Sequence, residues 1–212
     1  MIKLTLPQRQ ILYGIILGDG YLQKTGRRNA RLRLEHGEKQ KEYLMWKIEK
    51  LKNLFQGGPK YLERFHSKTG RKYCYWRHQS QSTPLLGKLR RIFYPQGKKT
   101  IPENLQKYLS PQTLAVWYMD DGYYGRRDNS GYLYLGKVTN LEAKRVSEAL
   151  LKVFGLRTKI LNKKKKGFVI YFPPTSLKKL KKIIQKYILP YFDYKLPSGP
   201  VTTCSKESGV RR

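Results

Sequence analysis

Hydrophobic residues recur along the chain with two different periods, and each period predicts one kind of element. Residues 38–55 carry apolar side chains at helical spacing, whereas Ala30, Leu32 and Leu34 alternate with charged residues, as in a strand with one solvent-facing side. Residues 7–17 also read as a helix. The elements predicted for the first half are helices at 7–17, 38–55 and 83–93 and strands at 20–23, 30–36, 60–65 and 72–79.

The same order of elements is predicted a second time, after a connector that contains a short helix. The predicted helices are 114–119, 141–154 and 175–187, and the predicted strands are 122–127, 131–138, 157–162 and 167–172. We therefore predict an α+β fold in which an αββαββα unit is duplicated about a pseudo-twofold axis, with two antiparallel sheet saddles around a central pair of helices. The predicted boundaries are 1–97 for the N-terminal half, 98–112 for the connector, 113–198 for the C-terminal half and 199–212 for a polar tail.

An acidic residue recurs at the end of the first helix of each half. Asp19 in "GIILGDGYL" and Asp121 in "VWYMDDGYY" both follow an apolar helix and precede a glycine and an aromatic strand, 102 positions apart. Lys99 in "KKTIP" and Lys195 in "YKLP" recur near the ends of the halves, 96 positions apart. One Asp-Gly alone is simply a helix end or a turn. Two in register, each followed by a lysine, indicate a duplicated site.

The first helix carries glycines at a spacing that permits close helix packing. Gly14 and Gly18 would let the equivalent helix of the second half approach, although Val116 and Asp120 occupy the matching positions there. Close approach would bring the two helix ends together, and two adjacent carboxylates are costly unless a cation lies between them. Carboxylate and carbonyl oxygens suit Mg²⁺.

The charge of the chain points to a polyanionic partner. The 212 residues include 45 Lys and Arg against 14 Asp and Glu, for a formal net charge of +31. Such an excess repels itself unless a polyanion is close, and it is spread over the whole chain. DNA or RNA is the expected partner. A ribosomal protein or a membrane-surface protein would have a similar charge balance.

Several other kinds of protein are excluded by what the sequence lacks. Cys74 and Cys204 are isolated, so neither a disulfide framework nor a zinc site is expected. We expect the protein to work in a reducing cell interior. The three histidines have no metal-ligand spacing. The longest apolar run, 11–17, is too short to span a bilayer, and no secretory pattern is present. We expect an intracellular protein of an organelle (mitochondrion or chloroplast) or of a prokaryotic cytoplasm.

The paired stretches "YGIILGDG" and "LAVWYMDDG" resemble the two signature helices of the LAGLIDADG homing endonucleases, in the single-chain, two-motif, intron-encoded branch. The likeness extends to "KKTIPENLQKYLSPQ" and "ILPYFDYKLP" and covers approximately residues 8–198. It implies a monomer that cuts both strands of a long, asymmetric DNA target across the minor groove and leaves short 3′ overhangs. Mg²⁺ is the implied cofactor, and Mn²⁺ is expected to substitute for it.

The resemblance also implies roles for particular residues. The acidic residue before the last glycine of each motif binds metal, which assigns Asp19 and Asp121 as ligands. The preceding residues, Gly18 and Asp120, would offer backbone carbonyls, and the side chain of Asp120 has no catalytic role in this interpretation. Lysines matching Lys99 and Lys195 lie at the edge of such sites. Their implied role is to polarise the attacking water or to stabilise charge on the phosphate.

The polar faces of the predicted strands supply the DNA contacts. Arg and Gln side chains can read guanine and adenine edges in the major groove, whereas lysines mostly hold phosphates. The predicted contacts are Arg31, Arg33, Arg71, Tyr73, Tyr75, Arg77 and Gln79 in the first half and Tyr132, Tyr134, Lys137, Lys159 and Asn162 in the second.

Two other functions are compatible with the same fold. One is an intron RNA maturase that needs no cleavage chemistry, and the other is a DNA-binding protein that has lost catalysis. Charge does not separate these functions, because all three proteins bind polyanions. The duplicated carboxylates and lysines favour the nuclease, because a binding protein has no physical need for them.

Overall fold

The duplicated αββαββα order predicted from the sequence is confirmed. The computed structural model describes residues 2–65, 67 and 69–198, and the predicted tail at 199–212 lies outside the described residues. The first unit contains α1 (Leu6–Leu17), β1 (Tyr21–Lys24), β2 (Ala30–Gly37), α2 (Lys41–Lys50), β3 (Lys60–Phe65), β4 (Lys72–Gln79) and α3 (Pro84–Phe93). The second contains α4 (Pro111–Asp121), β5 (Gly122–Gly125), β6 (Ser130–Gly136), α5 (Asn140–Phe154), β7 (Lys159–Asn162), β8 (Phe168–Phe172) and α6 (Pro174–Ile184).

Each unit builds one four-stranded antiparallel sheet with the same strand order. The order is β1-β2-β4-β3 in the first sheet and β5-β6-β8-β7 in the second. In β2 the buried Leu32 and Leu34 alternate with the partly exposed Arg31 and Arg33, so the apolar face meets the helices and the polar face stays accessible. The α+β fold with two sheets around a central helix pair is therefore confirmed.

The centre of the fold is the packing of α1 against α4. Equivalent positions of the two helices meet there, as they must at a pseudo-twofold axis. A Cβ added at Gly14 would lie 2.6 Å from Cβ of Val116, and one added at Gly18 would lie 2.7 Å from Cβ of Asp120. The helices approach closely because each glycine of α1 receives a larger side chain of α4. The contact is therefore close but not symmetric.

Three helices differ in length from the prediction. The helix predicted at 38–55 is divided into a 3₁₀ turn, α2 and a second 3₁₀ turn at Lys52–Leu54. The helix predicted at 175–187 ends as α6 at Ile184 and continues as a 3₁₀ turn. The helix predicted at 114–119 is longer in both directions, because the Ser110 side chain caps its N-terminus and Pro111 fits the first turn. It begins just before the predicted boundary at residue 113.

Within the described parts of the chain, no helix has the length and apolar character needed to cross a membrane. The longest is α5, with 15 residues.

Candidate active site

Asp19 and Asp121 lie at the matching ends of the central helices, but the two ends are built differently. Asp121 is the last residue of α4. Asp19 lies beyond α1, because the helix ends at Leu17 and Gly18 has a non-helical ψ of −126°. The backbone N–H of Gly20 then donates to the carbonyl of Ile15 at 2.7 Å and closes the turn.

The two predicted lysines each contact the carbonyl oxygens at one of these helix ends. Lys99 Nζ donates to the carbonyl of Gly18. Lys195 Nζ donates to the carbonyls of Met119 and Asp120 at 2.6 Å and 3.2 Å. Carbonyls at a helix C-terminus lack helical partners and carry partial negative charge, so they attract cations. Each lysine therefore contacts the backbone at the helix end of its own copy of the motif, and Lys99 is also influenced by the charge of Asp121 across the interface.

The surroundings of the two carboxyl groups disfavour negative charge. Burial, followed by the negative charges of Asp19 and Asp120, raises the pKa of Asp121 to about 7. Desolvation, followed by the charge of Asp120, also raises the pKa of Asp19, although this residue is exposed at the surface. Lys99 and Lys195 act in the opposite direction on both groups. Several acidic groups therefore lie close together at the two helix ends, and nearby positive charge stabilises their ionised forms.

Desolvation acts on the lysines as well. Burial lowers the pKa of both Lys99 and Lys195, whereas the neighbouring aspartates oppose that shift. An ammonium group with a lowered pKa gives up a proton more readily than an exposed lysine. This property suits a group that polarises a water molecule or donates toward a phosphate oxygen.

The two helix ends, residues 18–19 and 120–121, form what we call the seam. The oxygen atoms at this seam fit a hard divalent cation. Two carboxylates, from Asp19 and Asp121, and two carbonyl oxygens, from Gly18 and Asp120, are available, and lysine ammonium groups already contact both carbonyls. Among the described residues no group of three or more His, Cys, Asp or Glu side chains is arranged to hold a metal ion. A bound Mg²⁺ would complete its shell with water and phosphate oxygens, as Mg²⁺ commonly does.

The side chain of Asp120 belongs to a buried polar cluster that the sequence analysis missed. Its Oδ1 lies 2.7 Å from Nζ of Lys47 and accepts a hydrogen bond from the Tyr43 hydroxyl at 2.8 Å, and its Oδ2 accepts the backbone N–H of Asp19 at 3.0 Å. Lys47 falls in the apolar stripe of α2, four residues after the buried Tyr43. A lysine at a core position is the signal that could have revealed this pair.

His36 completes the buried cluster as a neutral side chain. Burial, followed by the charge of Lys47, lowers its pKa to about 4. Its Nε2 lies 3.1 Å from Lys47 Nζ and its Nδ1 lies 3.0 Å from Gln40 Oε1. A neutral imidazole satisfies both contacts if Nε2 accepts from the ammonium and Nδ1 donates to the amide oxygen. His36 therefore supports Lys47 and is not placed as a metal ligand.

A cavity of about 400 Å³ opens beside Asp121. Its lining includes Gly18, Lys99, Asp121, Tyr134 and Lys137. It therefore connects the acidic seam with the polar end of β6 and with Lys137, which follows that strand.

The predicted DNA contacts of the first half mostly share one face of the sheet. Strand register pairs Arg33 with Gln79 and Gly37 with Tyr75, so these positions lie on the side away from the buried leucines. The residues on this face that were predicted to contact DNA are Arg31, Arg33, Tyr73, Tyr75, Arg77 and Gln79. Arg71 precedes the first residue of β4 and belongs to the turn.

One acidic residue on this face already pairs with two of the arginines. Glu35 Oε1 lies 2.6 Å from Arg33 Nη2 and 2.7 Å from Arg77 Nε. The Nη2 of Arg77 also donates to the Tyr75 hydroxyl at 3.3 Å. These contacts hold the guanidinium groups in place at a partly exposed surface. Fewer arginines on this face are therefore without an acidic partner than the sequence alone suggests.

The second sheet places its predicted contacts less uniformly. Tyr132 pairs with Tyr171, which also pairs with Lys159, so these three share the polar face, and Tyr134 lies on the same side. Asn162 does not share it, because it pairs with Phe168, and its Oδ1 accepts the backbone N–H of Lys164 at 2.9 Å. The side chain of Asn162 therefore shapes the β7–β8 turn.

Comparison with known proteins identifies a family. The family model described as "LAGLIDADG DNA endonuclease family" matches residues 9–180. Protein RecA of Mycolicibacterium flavescens is 32% identical over 211 residues, which cover 92% of this chain and 47% of that protein. The DNA endonuclease I-ChuI of Chlamydomonas applanata is 27% identical over 213 residues, covering 93% of this chain and 97% of the relative.

A solved structure of the homing endonuclease I-WcaI bound to its DNA recognition sequence superimposes with a TM-score of 0.85. It is 27% identical and covers 94% of this chain and 89% of that chain. Three further RecA proteins give the same partial match as the first, so this chain spans about half the length of those relatives.

Proposed function

This chain belongs to the LAGLIDADG DNA endonuclease family, and on that premise we propose that it is a site-specific endonuclease that hydrolyses both strands of a long, asymmetric DNA target. Mg²⁺ is the proposed cofactor, Mn²⁺ is expected to substitute, and the products carry 3′ overhangs. The protein acts as a monomer, because its two halves together supply both copies of the motif.

One observation carries the proposal: the duplicated acid and lysine pairs converge at one end of the central helices. Asp19 and Asp121 influence each other's surroundings electrostatically, and Lys99 and Lys195 contact the carbonyls beside them. A protein that only binds DNA or intron RNA has no use for this costly concentration of like charges. The arrangement supports metal-assisted hydrolysis of a phosphodiester.

Each residue of the seam has a distinct role in the proposed reaction. The carboxylates of Asp19 and Asp121 would hold the divalent cation, together with the carbonyls of Gly18 and Asp120. When bound there, Mg²⁺ supplies water activation and neutralises charge on the leaving 3′ oxygen. Lys99 and Lys195 contact carbonyl oxygens at the two helix ends, so each ammonium lies where it could donate toward a water or a phosphate oxygen.

The polar sheet faces supply the proposed DNA contacts. Both faces lie opposite the sides that pack on the helices, and each carries aromatic and cationic side chains in register. The sequences of the two faces differ, which is why the proposed target is asymmetric. Arg33 and Arg77 are oriented by Glu35, so they present fixed donors.

Incubation with DNA tests the proposal. The substrate is the joined host-gene sequence from which the intervening sequence that carries this reading frame has been removed, with Mg²⁺ added. We expect a double-strand break within that junction and, on sequencing the ends, 3′ overhangs. The matched control is the same locus with the intervening sequence in place, which should stay uncut. Binding of the junction without cleavage under Mg²⁺ or Mn²⁺ would leave a DNA-binding protein and reject the nuclease.

A further inference from the structure

A buried ion pair joins the two halves of the molecule next to the candidate site. Lys47 belongs to α2 of the first half and Asp120 to α4 of the second, and both side chains have a solvent exposure of 0%. Replacing such a pair with apolar side chains of similar volume is often neutral or stabilising. Stability alone therefore gives no reason for its presence, and its hydrogen bonds suggest another one.

The second oxygen of Asp120 binds the backbone of the other half. Its Oδ2 accepts the N–H of Asp19 at 3.0 Å. This N–H has left the helical pattern, because α1 ends at Leu17 and the carbonyl of Ile15 is taken by Gly20. Asp120 therefore replaces the acceptor that a longer helix would have provided.

The bond to Asp19 fixes more than the N–H group. The N–H of Asp19 and the C=O of Gly18 belong to one planar trans peptide, in which they point in opposite directions. When Asp120 draws the N–H into the interior, the Gly18 carbonyl is aimed outward, where Lys99 Nζ contacts it. This carbonyl is one of the two proposed for the cation.

We call the Asp120 carboxylate with its bond to the Asp19 N–H the anchor. The described residues hold no equivalent group at the other helix end. At the offset of 102 positions, Asp120 matches Gly18 of the first copy, which has no side chain, and Lys47 matches Ala149 of the second copy, which is buried. Asp121 needs no such support, because it is still part of α4. The backbone at Asp121 is thus positioned by the geometry of α4, whereas the backbone at Asp19 is positioned by the side chain of Asp120.

We propose that the Asp120 carboxylate, held by Lys47 and Tyr43, is a positioning group that fixes the Gly18–Asp19 peptide and aims the Gly18 carbonyl at the cation site. The proposal rests on the endonuclease function proposed above. The anchor serves the α1 end of the seam, so its loss affects cleavage of one DNA strand more than cleavage of the other.

Two double variants isolate the anchor from the ion pair. Lys47→Met with Asp120→Asn removes both charges but keeps a side-chain oxygen that can accept the N–H of Asp19. Lys47→Met with Asp120→Leu removes both charges and the acceptor, at similar volume. Neither leaves a lone buried charge, and both keep the backbone carbonyl of Asp120. Tyr43→Phe removes one hydrogen bond from Asp120 and leaves the pair intact, so it serves if a double variant fails to fold.

The first readout needs neither metal nor cleavage. Amide hydrogen exchange at Asp19, followed by NMR, should be at least about tenfold faster in the Asp120→Leu double variant than in the Asp120→Asn double variant, because only the latter retains an acceptor. Tyr43→Phe should give an intermediate rate. Equal exchange rates at Asp19 in wild type and both double variants would overturn the proposal. This readout stands even if the wild-type protein cuts no DNA, an outcome that would reject only the endonuclease function.

The second readout is cleavage of a target labelled separately on each strand. The Asp120→Leu double variant should cut one strand about 10- to 100-fold more slowly than the Asp120→Asn double variant, as expected for loss of a group that orients a metal ligand. Cutting of the other strand should differ between the two variants by less than about threefold, well below that range. Equal losses on both strands would reduce the cluster to a structural role and contradict the proposal.

Discussion

Replacing Asp19 or Asp121 with asparagine is expected to abolish double-strand cleavage and to leave target binding largely intact. Asparagine has the shape of aspartate but no charge, so it is a poor ligand for Mg²⁺. We expect the cleavage rate to fall at least about a thousandfold, which corresponds to about 4 kcal/mol of lost transition-state stabilisation. Neither residue lies on the polar face of a sheet, so the proposed DNA contacts remain.

Asp193→Asn is the matched control for these two variants. It also removes one carboxylate, but Asp193 is exposed and has no place in the proposed site. Rates are measured with a plasmid carrying the target, and affinity by a gel-shift assay with Ca²⁺ in place of Mg²⁺. Retention of cleavage in both Asp19→Asn and Asp121→Asn would refute their assignment as ligands. Loss of binding along with cleavage would point to misfolding.

The metal-free protein is expected to become more stable at pH 8 when Asp121 is replaced with asparagine. The carboxyl pKa is about 7 in the folded protein against an ordinary value of 3.8, so the folded state holds this proton more tightly than the unfolded state. The stability of the wild type therefore falls as pH rises from about 4 to about 7 and is lowest above that range. The shift of about three units corresponds to about 4 kcal/mol at most.

Chemical denaturation in EDTA at several pH values measures this effect. The advantage of Asp121→Asn over the wild type should be complete above pH 7 and should shrink as the pH falls toward 4, where aspartate is neutral in both states. Asp193→Asn should give no such gain. A variant that is less stable than the wild type at pH 8, or a gain that does not change with pH, would contradict the proposed crowding of negative charge.

The order of the elements was predictable because it depends on local patterns that recur. The apolar and polar alternation of β2 and the Asp-Gly ends of the two motifs are visible in the sequence, and so is the duplication itself. The element boundaries were less predictable. Ser110 and Pro111 start α4 earlier than its apolar run suggests, and the apolar stripe at 38–55 does not mark the 3₁₀ turns that flank α2.

The buried cluster was missed because its partners are far apart in the sequence. Lys47 and Asp120 are separated by 73 positions, and Lys47 is one of 45 Lys and Arg, so its place in the apolar stripe of α2 was overlooked. Glycine at position 18 favoured a close helix contact, but only the packing reveals that Asp120 fills the space it leaves. The hydrogen bond that Asn162 makes within the turn after β7 was not predicted either, because no sequence pattern marks it.

The most direct test of this account is the position of the metal. Crystals of the protein with its target DNA and Mn²⁺ would be measured at the manganese absorption edge, where anomalous scattering locates the ions. The account predicts manganese between the two helix ends, ligated by the carboxylates of Asp19 and Asp121 and by the carbonyl of Gly18 or Asp120. Manganese ligated elsewhere, with both carboxylates unligated in a complex that holds the target, would contradict it.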